Sequence, residues 1–404
     1  MFKHYSIFLA LGGLASKVFA ADATQWQADS RLHRSLWGIA YTSAHSAGYP
    51  QCGDTIDEVV GDIQLISQLT TRIRLYGTDC SQFKNVQEAI KQTKTNVHVY
   101  AGIYIDGNET TYERQRDEAF AVLDEYGVDN ILGITVGNEY LLQTFTATPA
   151  SLSTAETYLI SKIEDVRTML SSKNYGKTIP VGSADAGSQI TTTLAAAADY
   201  IMANTHPFFS GINIEGAADW TAQYLIDQEP RYATAAGKTL LSAEIGWPTD
   251  AMEGGSLSSN GSIASIPNTQ LLLDTFVCAA NTNITAGGPY ANGYFWFELF
   301  DQEWKVQYGG AEPYWGLFDK DKNFKALTIP TCLADALAPV GSMGNNTGSG
   351  SSSGGSGSSG SGSSGGSGSG SSGSGSSGSN DATSLSGSLI VSVALSLLGG
   401  AFLL

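Results

Sequence analysis

Basic side chains are scarce in this chain. Across 404 residues, 21 lysines and arginines face 38 aspartates and glutamates, and the formal charge is −17. Binding to nucleic acid relies on Lys and Arg neutralising phosphates, so that class of partner is excluded. A neutral polymer is compatible with such a surface. Histidine is rare as well, five in all, and none forms a pair such as His-Glu-x-x-His. No metal and no cofactor is implied. A long membrane-spanning run is also missing. Leu389–Leu404 is apolar, but at ~1.5 Å per residue it reaches about 24 Å against a ~30 Å hydrocarbon core. No Lys or Arg follows Lys325 to flank it on a cytoplasmic side.

The two ends of the chain read as addresses rather than fold. Residues 1–20 carry Lys3 and His4, an apolar stretch from Ile7 to Leu14, and small residues up to Ala20. That is the pattern of a secretory signal. Every residue from Gly348 to Ser379 is glycine or serine, which makes 341–379 a disordered stalk. Within 380–404, small residues at Asn380-Asp381-Ala382, a short polar spacer and the apolar end fit a GPI-attachment signal, with Asn380 the favoured anchor site and Ser379 and Gly378 the alternatives. What remains, 21–340, is about 320 residues, a normal size for one α/β barrel. Four cysteines in a secreted chain suggest two disulfides with three possible pairings. The sequence-nearest set, Cys52–Cys80 and Cys278–Cys332, is favoured. Sequons at Asn108, Asn260, Asn283 and Asn345 suit the same route.

Between the ends, short apolar runs alternate with helix-like stretches. The strand candidates are Leu36–Tyr41, Thr71–Tyr76, Val97–Ile103, Ile131–Val136, Ile179–Ser183, Tyr200–Thr205, Thr239–Ala243 and Gly293–Phe297. Helix candidates between them include Ile56–Leu69, Val86–Thr93, Tyr112–Tyr126, Leu152–Leu170, Thr221–Ala236 and Thr269–Ala280, with Asp54 as a possible cap for the first. Strands alternating with helices imply parallel pairing, in a closed (β/α)8 TIM barrel or a doubly wound open sheet. Polar residues at nearly every strand end favour the barrel, whose sites draw on several strand ends, over an open sheet with one switch point.

Two of those ends carry most of the chemistry. The run Ile131–Gly137 closes in Asn138-Glu139, and Thr239–Ala243 closes in Glu244-Ile245-Gly246-Trp247-Pro248. Glycoside hydrolysis needs two carboxyl groups, one to protonate the leaving oxygen and one to attack or activate water. Asn138 would hydrogen-bond a sugar 2-hydroxyl, and Trp247 would stack on a pyranose face. Arg74, if it points inward, would keep Glu244 ionised; its bland alternative is a barrel-filling arginine. Tyr41, Tyr76, Asp185, His206, Glu298, Trp304 and Lys305 complete the candidate substrate contacts, with burial in the core the alternative for each aromatic. A dinucleotide-like Gly355-x-Gly357-x-x-Gly360 lies inside the Gly/Ser tract and is a chance match.

Gly137-Asn138-Glu139, Ala243-Glu244-Ile245-Gly246-Trp247-Pro248, Arg74-Leu75-Tyr76-Gly77 and Phe297-Glu298-Leu299-Phe300-Asp301 resemble glycoside hydrolase family 17. The Gly/Ser stalk and apolar tail are similar to those of its GPI-anchored fungal cell-wall members. The resemblance covers about Leu36 to Thr328 and implies β-1,3-glucanase activity on a (β/α)8 barrel. It also implies Glu139 as acid/base and Glu244 as nucleophile. His206-Pro207 departs from the Tyr-Pro usual in plant members, so the role of that position does not carry over. The expectation is a monomeric, secreted, retaining endo-β-1,3-glucanase acting on wall glucan, held by a GPI lipid at the plasma membrane. A glucanosyltransferase sharing the first half-reaction, and a non-catalytic glucan-binding protein, are the alternatives.

Overall fold

The computed structural model describes residues 29–43, 51–229, 238–252, 258–259, 261–288 and 293–332. The signal segment, the stalk, the attachment segment with Asn380, and the sequons at Asn260 and Asn345 lie outside them. Eight parallel strands follow one another around a closed ring: β1 (Gly38–Ala40), β2 (Arg72–Arg74), β3 (His98–Ile103), β4 (Ile131–Asn138), β5 (Val181–Ala186), β6 (Tyr200–Asn204), β7 (Thr239–Ile245) and β8 (Tyr294–Trp296). Closure comes from β1 on β8, with Gly38 opposite Phe295 and Ile39 opposite Trp296. This excludes the open sheet. Each of the eight runs read from the sequence contains or overlaps a strand. Several strands are shorter than their apolar runs because pairing stops where the chain peels off into a loop.

The crossovers are α1 (Ile56–Leu69), α2 (Gln82–Thr93), α3 (Glu109–Tyr126), α4 (Tyr140–Ala147), α5 (Leu152–Lys173), α6 (Thr192–Ala197), α7 (Ile214–Glu229) and α8 (Ile266–Thr285). The short α4 and α6 carry too few turns to stand out by periodicity. Thr55, not Asp54, caps α1: its hydroxyl accepts from Glu58 N while Glu58 returns a bond to Thr55 N, a reciprocal capping box. Asn108 caps α3 by accepting from Thr110 N at 3.0 Å and remains exposed, whereas Asn283 is half-buried in α8. Disulfides join Cys52 to Cys80 and Cys278 to Cys332, the favoured pairing.

The barrel interior is filled by rings rather than by branched aliphatics alone. Tyr100 meets Tyr200 at 5.4 Å and Phe295 at 5.6 Å, each edge-on. Room for Tyr200 depends on glycine: a Cβ on Gly182 would come within 2.4 Å of its ring. The glycine after Glu244-Ile245 has a similar cause. A Cβ on Gly246 would stand 1.9 Å from the Phe297 carbonyl, so only glycine lets the chain leaving β7 pass the segment after β8.

Candidate active site

Glu244 sits near the carboxyl end of β7, where the pairing with β6 slips: Ala203 faces Ser242, but Asn204 faces Glu244. Such bulges at a barrel rim re-aim a side chain. Three groups hold the carboxylate. Arg74 Nη1 donates to Oε1 at 3.0 Å and Tyr76 OH donates to the same oxygen at 2.8 Å. His206 Nε2 lies 2.8 Å from Oε2. Arg74 Nη1 also reaches the Ala243 carbonyl at 3.1 Å. Burial disfavours the charge on Glu244, yet the His206 hydrogen bond, the Arg74 guanidinium and the Tyr76 hydroxyl outweigh it and hold the carboxyl at about 2.

Glu139 follows β4 on the same face, after a second register slip between Thr135 and Asn138. Its Oε1 accepts from Asn204 Nδ2 at 2.9 Å. Burial, then repulsion from Glu244, push its carboxyl up to about 7 against the pull of His206, Asn204 and Arg74. Two carboxyls on one cleft are thus driven in opposite directions, which is how acid and base are told apart. Asn138 Oδ1 accepts from Arg74 Nη2 at 2.5 Å, and among the described residues no hydrogen bond from its amide nitrogen is seen. Both carboxyls open on one cleft, walled by Tyr76, Asn138, His206, Glu298, Trp304 and Lys305.

Residues 38–316 match the BtgE/BtgC glycoside hydrolase domain. The chain belongs to the BtgE/BtgC glycoside hydrolase family. Among relatives, a putative glucan endo-1,3-beta-glucosidase, btgC, of Aspergillus niger is 35% identical over 322 residues, covering 75% of this chain and 45% of that protein. The glucan endo-1,3-beta-glucosidase btgC of Emericella nidulans is 32% identical over 317 residues, 74% of this chain and 47% of its own length. The chain therefore spans less than half the length of the curated relatives it matches. Among solved structures, a glycoside hydrolase family 17 β-1,3-glucanosyltransferase from Rhizomucor miehei aligns with a TM-score of 0.59 at 24% identity, over 74% of this chain and 98% of that one. An endo-laminarinase from Formosa Hel1_33_131 gives 0.55 at 17% identity, over 74% and 91%. At these identities the likeness is one of fold.

Of the residues singled out by sequence, this BtgE/BtgC-type barrel brings Tyr76, Asn138, Glu139, His206, Glu244, Glu298, Trp304 and Lys305 to the cleft. Arg74 is buried beneath it, its guanidinium 4.5 Å from the centre of the Tyr76 ring. Three candidates do not reach it. Tyr41 turns away to donate to Asp62 Oδ2 of α1 at 2.8 Å and is fully buried. Trp247 has no exposed surface; its Nε1 donates to the Ile263 carbonyl at 2.8 Å and its ring meets Phe208 edge-on, so it packs the loop after β7 instead of a sugar. Asp185 is likewise enclosed, accepting backbone amides of α4.

The far wall comes from the chain after β8. Lys305 Nζ donates to Glu298 Oε1 at 3.0 Å and lies 4.6 Å over the Phe297 ring. Burial raises Glu298 to about 7 despite Lys305. Trp304 is half-buried, its Nε1 held by Gln302 Oε1 at 2.7 Å. Sequence reasoning missed Asn204 and Glu312. Asn204 ends β6 two residues before His206 and had a positional signal, being polar at a strand end. Glu312 lines the same wall, its carboxyl raised by burial against Lys305 and His206. It lies in a loop no periodicity marks.

Proposed function

We propose that this chain hydrolyses internal β-1,3-glucosidic bonds of glucan with retention of configuration. The observation that carries this reading is the pair Glu139 and Glu244, displaced in opposite directions and joined through Asn204 and Arg74. The names of the relatives as glucan endo-1,3-beta-glucosidases support the substrate class. Protonated Glu139 donates to the glycosidic oxygen as Glu244 attacks the anomeric carbon. The C–O bond breaks, the leaving chain departs as an alcohol, and a glycosyl ester forms on Glu244. Esterification removes the Glu244 charge, one of the two causes that raise Glu139, so Glu139 then holds its proton less tightly. It accepts a proton from water, which attacks the same carbon and frees Glu244. Asn138, with Oδ1 held by Arg74, presents its amide nitrogen to the sugar 2-hydroxyl.

Laminarin incubated with the enzyme tests this: shorter oligomers support hydrolysis, longer ones mark glucanosyl transfer through the same ester, and unchanged chains mark a non-catalytic binder. The placement we propose is the outer face of the plasma membrane and the cell wall, through a GPI anchor on Asn380. Support comes from the signal-like pattern of residues 1–20, the Gly/Ser tract, and the small residues, polar spacer and apolar run within 380–404. Leu404 detected in the mature protein would refute the anchor.

A further inference from the structure

Glu139 occupies an awkward piece of backbone. It is in the left-handed region at φ 53, two residues after Gly137 at φ 77. A residue with a side chain stays there only where its surroundings over-determine it. Glu139 also stands at the N-cap of α4, but its side chain is turned to Asn204 in the cleft and caps nothing. The first amides of a helix need acceptors from somewhere. They come from the next strand. Asp185 Oδ2 accepts from Leu141 N at 2.8 Å and Oδ1 from Leu142 N at 3.2 Å. One residue earlier on β5, the Ala184 carbonyl accepts from Glu139 N at 3.0 Å. Asp185 is itself fixed by Ala186 N at 2.9 Å and has no exposed surface. Two adjacent residues of β5 therefore grip the backbone at and just beyond Glu139, beside the register slip between β4 and β5.

We propose that Asp185 is a positioning residue for Glu139: by capping α4 from the neighbouring strand, it fixes the direction in which the Glu139 carboxyl enters the cleft. This rests on the reading of Glu139 as the acid. Burial pushes the Asp185 carboxyl up to about 8 against the pull of the Leu141, Leu142 and Ala186 amides, so the grip is one of hydrogen bonds and does not depend on a full charge. The alternative is a cap that supports the barrel without steering the acid, and the two differ in which substrate suffers. A natural glucan leaves as an alkoxide that needs the Glu139 proton. An aryl β-laminaribioside with a dinitrophenolate leaving group does not.

The test is kcat/KM, which reports the bond-breaking step, on both substrates with the full-length enzyme. For Asp185→Ala, laminarin turnover should fall about 30- to 100-fold, the scale of a misplacement near 1 Å. Turnover of the aryl substrate should stay within about threefold, because the Glu244 contacts are untouched. Asp185→Asn, which keeps the volume and one acceptor oxygen, should recover most of the loss while remaining selective for laminarin. It serves alone if the alanine variant does not fold. Equal losses on both substrates, or none on laminarin, would overturn the positioning role. Glu139→Ala on the same pair separates the two ideas. Selective loss there but not in the Asp185 variants removes only the positioning role, whereas no selectivity there removes the acid assignment and this inference with it.

Discussion

Replacing Glu139 with alanine should erase the basic limb of the pH profile along with most of the activity on glucan. A carboxyl raised from the ordinary 4.5 to about 7 costs roughly 3 kcal/mol more to ionise, at about 1.4 kcal/mol per pH unit. At pH 5 such a group is about 99% protonated, against about a quarter for an unperturbed glutamate. The sign follows from the role. The neutral form is the active one, so kcat/KM should fall tenfold per unit as pH rises past about 7. Glu244 must be ionised, and with its carboxyl at about 2 its limb lies far into acid. Laminarin kcat/KM measured from pH 4 to 9 should therefore show a plateau and one descending arm. In Glu139→Ala that arm should vanish and the plateau should drop by about 10²–10⁴, the usual worth of a general acid. Glu298 makes the experiment decisive, because burial raises it to about 7 as well, against Lys305. A descending arm that survives in Glu139→Ala with its midpoint unchanged would take the titration away from Glu139, leaving it to Glu298 or to Glu312, which burial also raises, and refute the reasoning.

Glu244→Ala should abolish hydrolysis, and azide should restore turnover of an aryl glycoside by filling the vacated position; a folded variant without rescue would move the nucleophile elsewhere. Arg74→Met should do two things. Burial raises Glu244 while His206 and Arg74 pull it down, so the acidic limb should move up in pH. Removing one partner of a buried pair should also lower unfolding stability by about 3–5 kcal/mol in urea titration, and an unchanged midpoint would contradict the pairing. Trp304→Ala should raise KM on long glucans more than it lowers kcat, since stacking acts equally in ground and transition states. Equal KM on short and long chains, with lost thermal stability, would make Trp304 a packing residue.

The sequence by itself determined the alternation of eight apolar runs and helices, and the two glutamates that close the fourth and seventh of those runs. Those signals are local. A strand buried on both faces is a mainly apolar run that tolerates small hydroxyls such as Thr135 and Ser242, so the first amide or carboxylate after it, Asn138, Glu139 or Glu244, stood out without coordinates. The tertiary structure decided where the side chains at those ends point. Side chains alternate faces along a strand, and a one-residue slip exchanges cleft for core. The slips at Thr135/Asn138 and Ala203/Asn204 occur beside the two glutamates, and no residue pattern announces a bulge. Trp247 and Tyr41 looked like sugar contacts by type but turned to a loop carbonyl and to Asp62. Asp185 looked like a ligand for substrate and is a cap for α4. The opposite charging of Glu139 and Glu244 was also beyond the sequence. It arises from burial and from Arg74 at the end of β2 and Asn204 and His206 at the end of β6, neighbours that exist only once the barrel has closed.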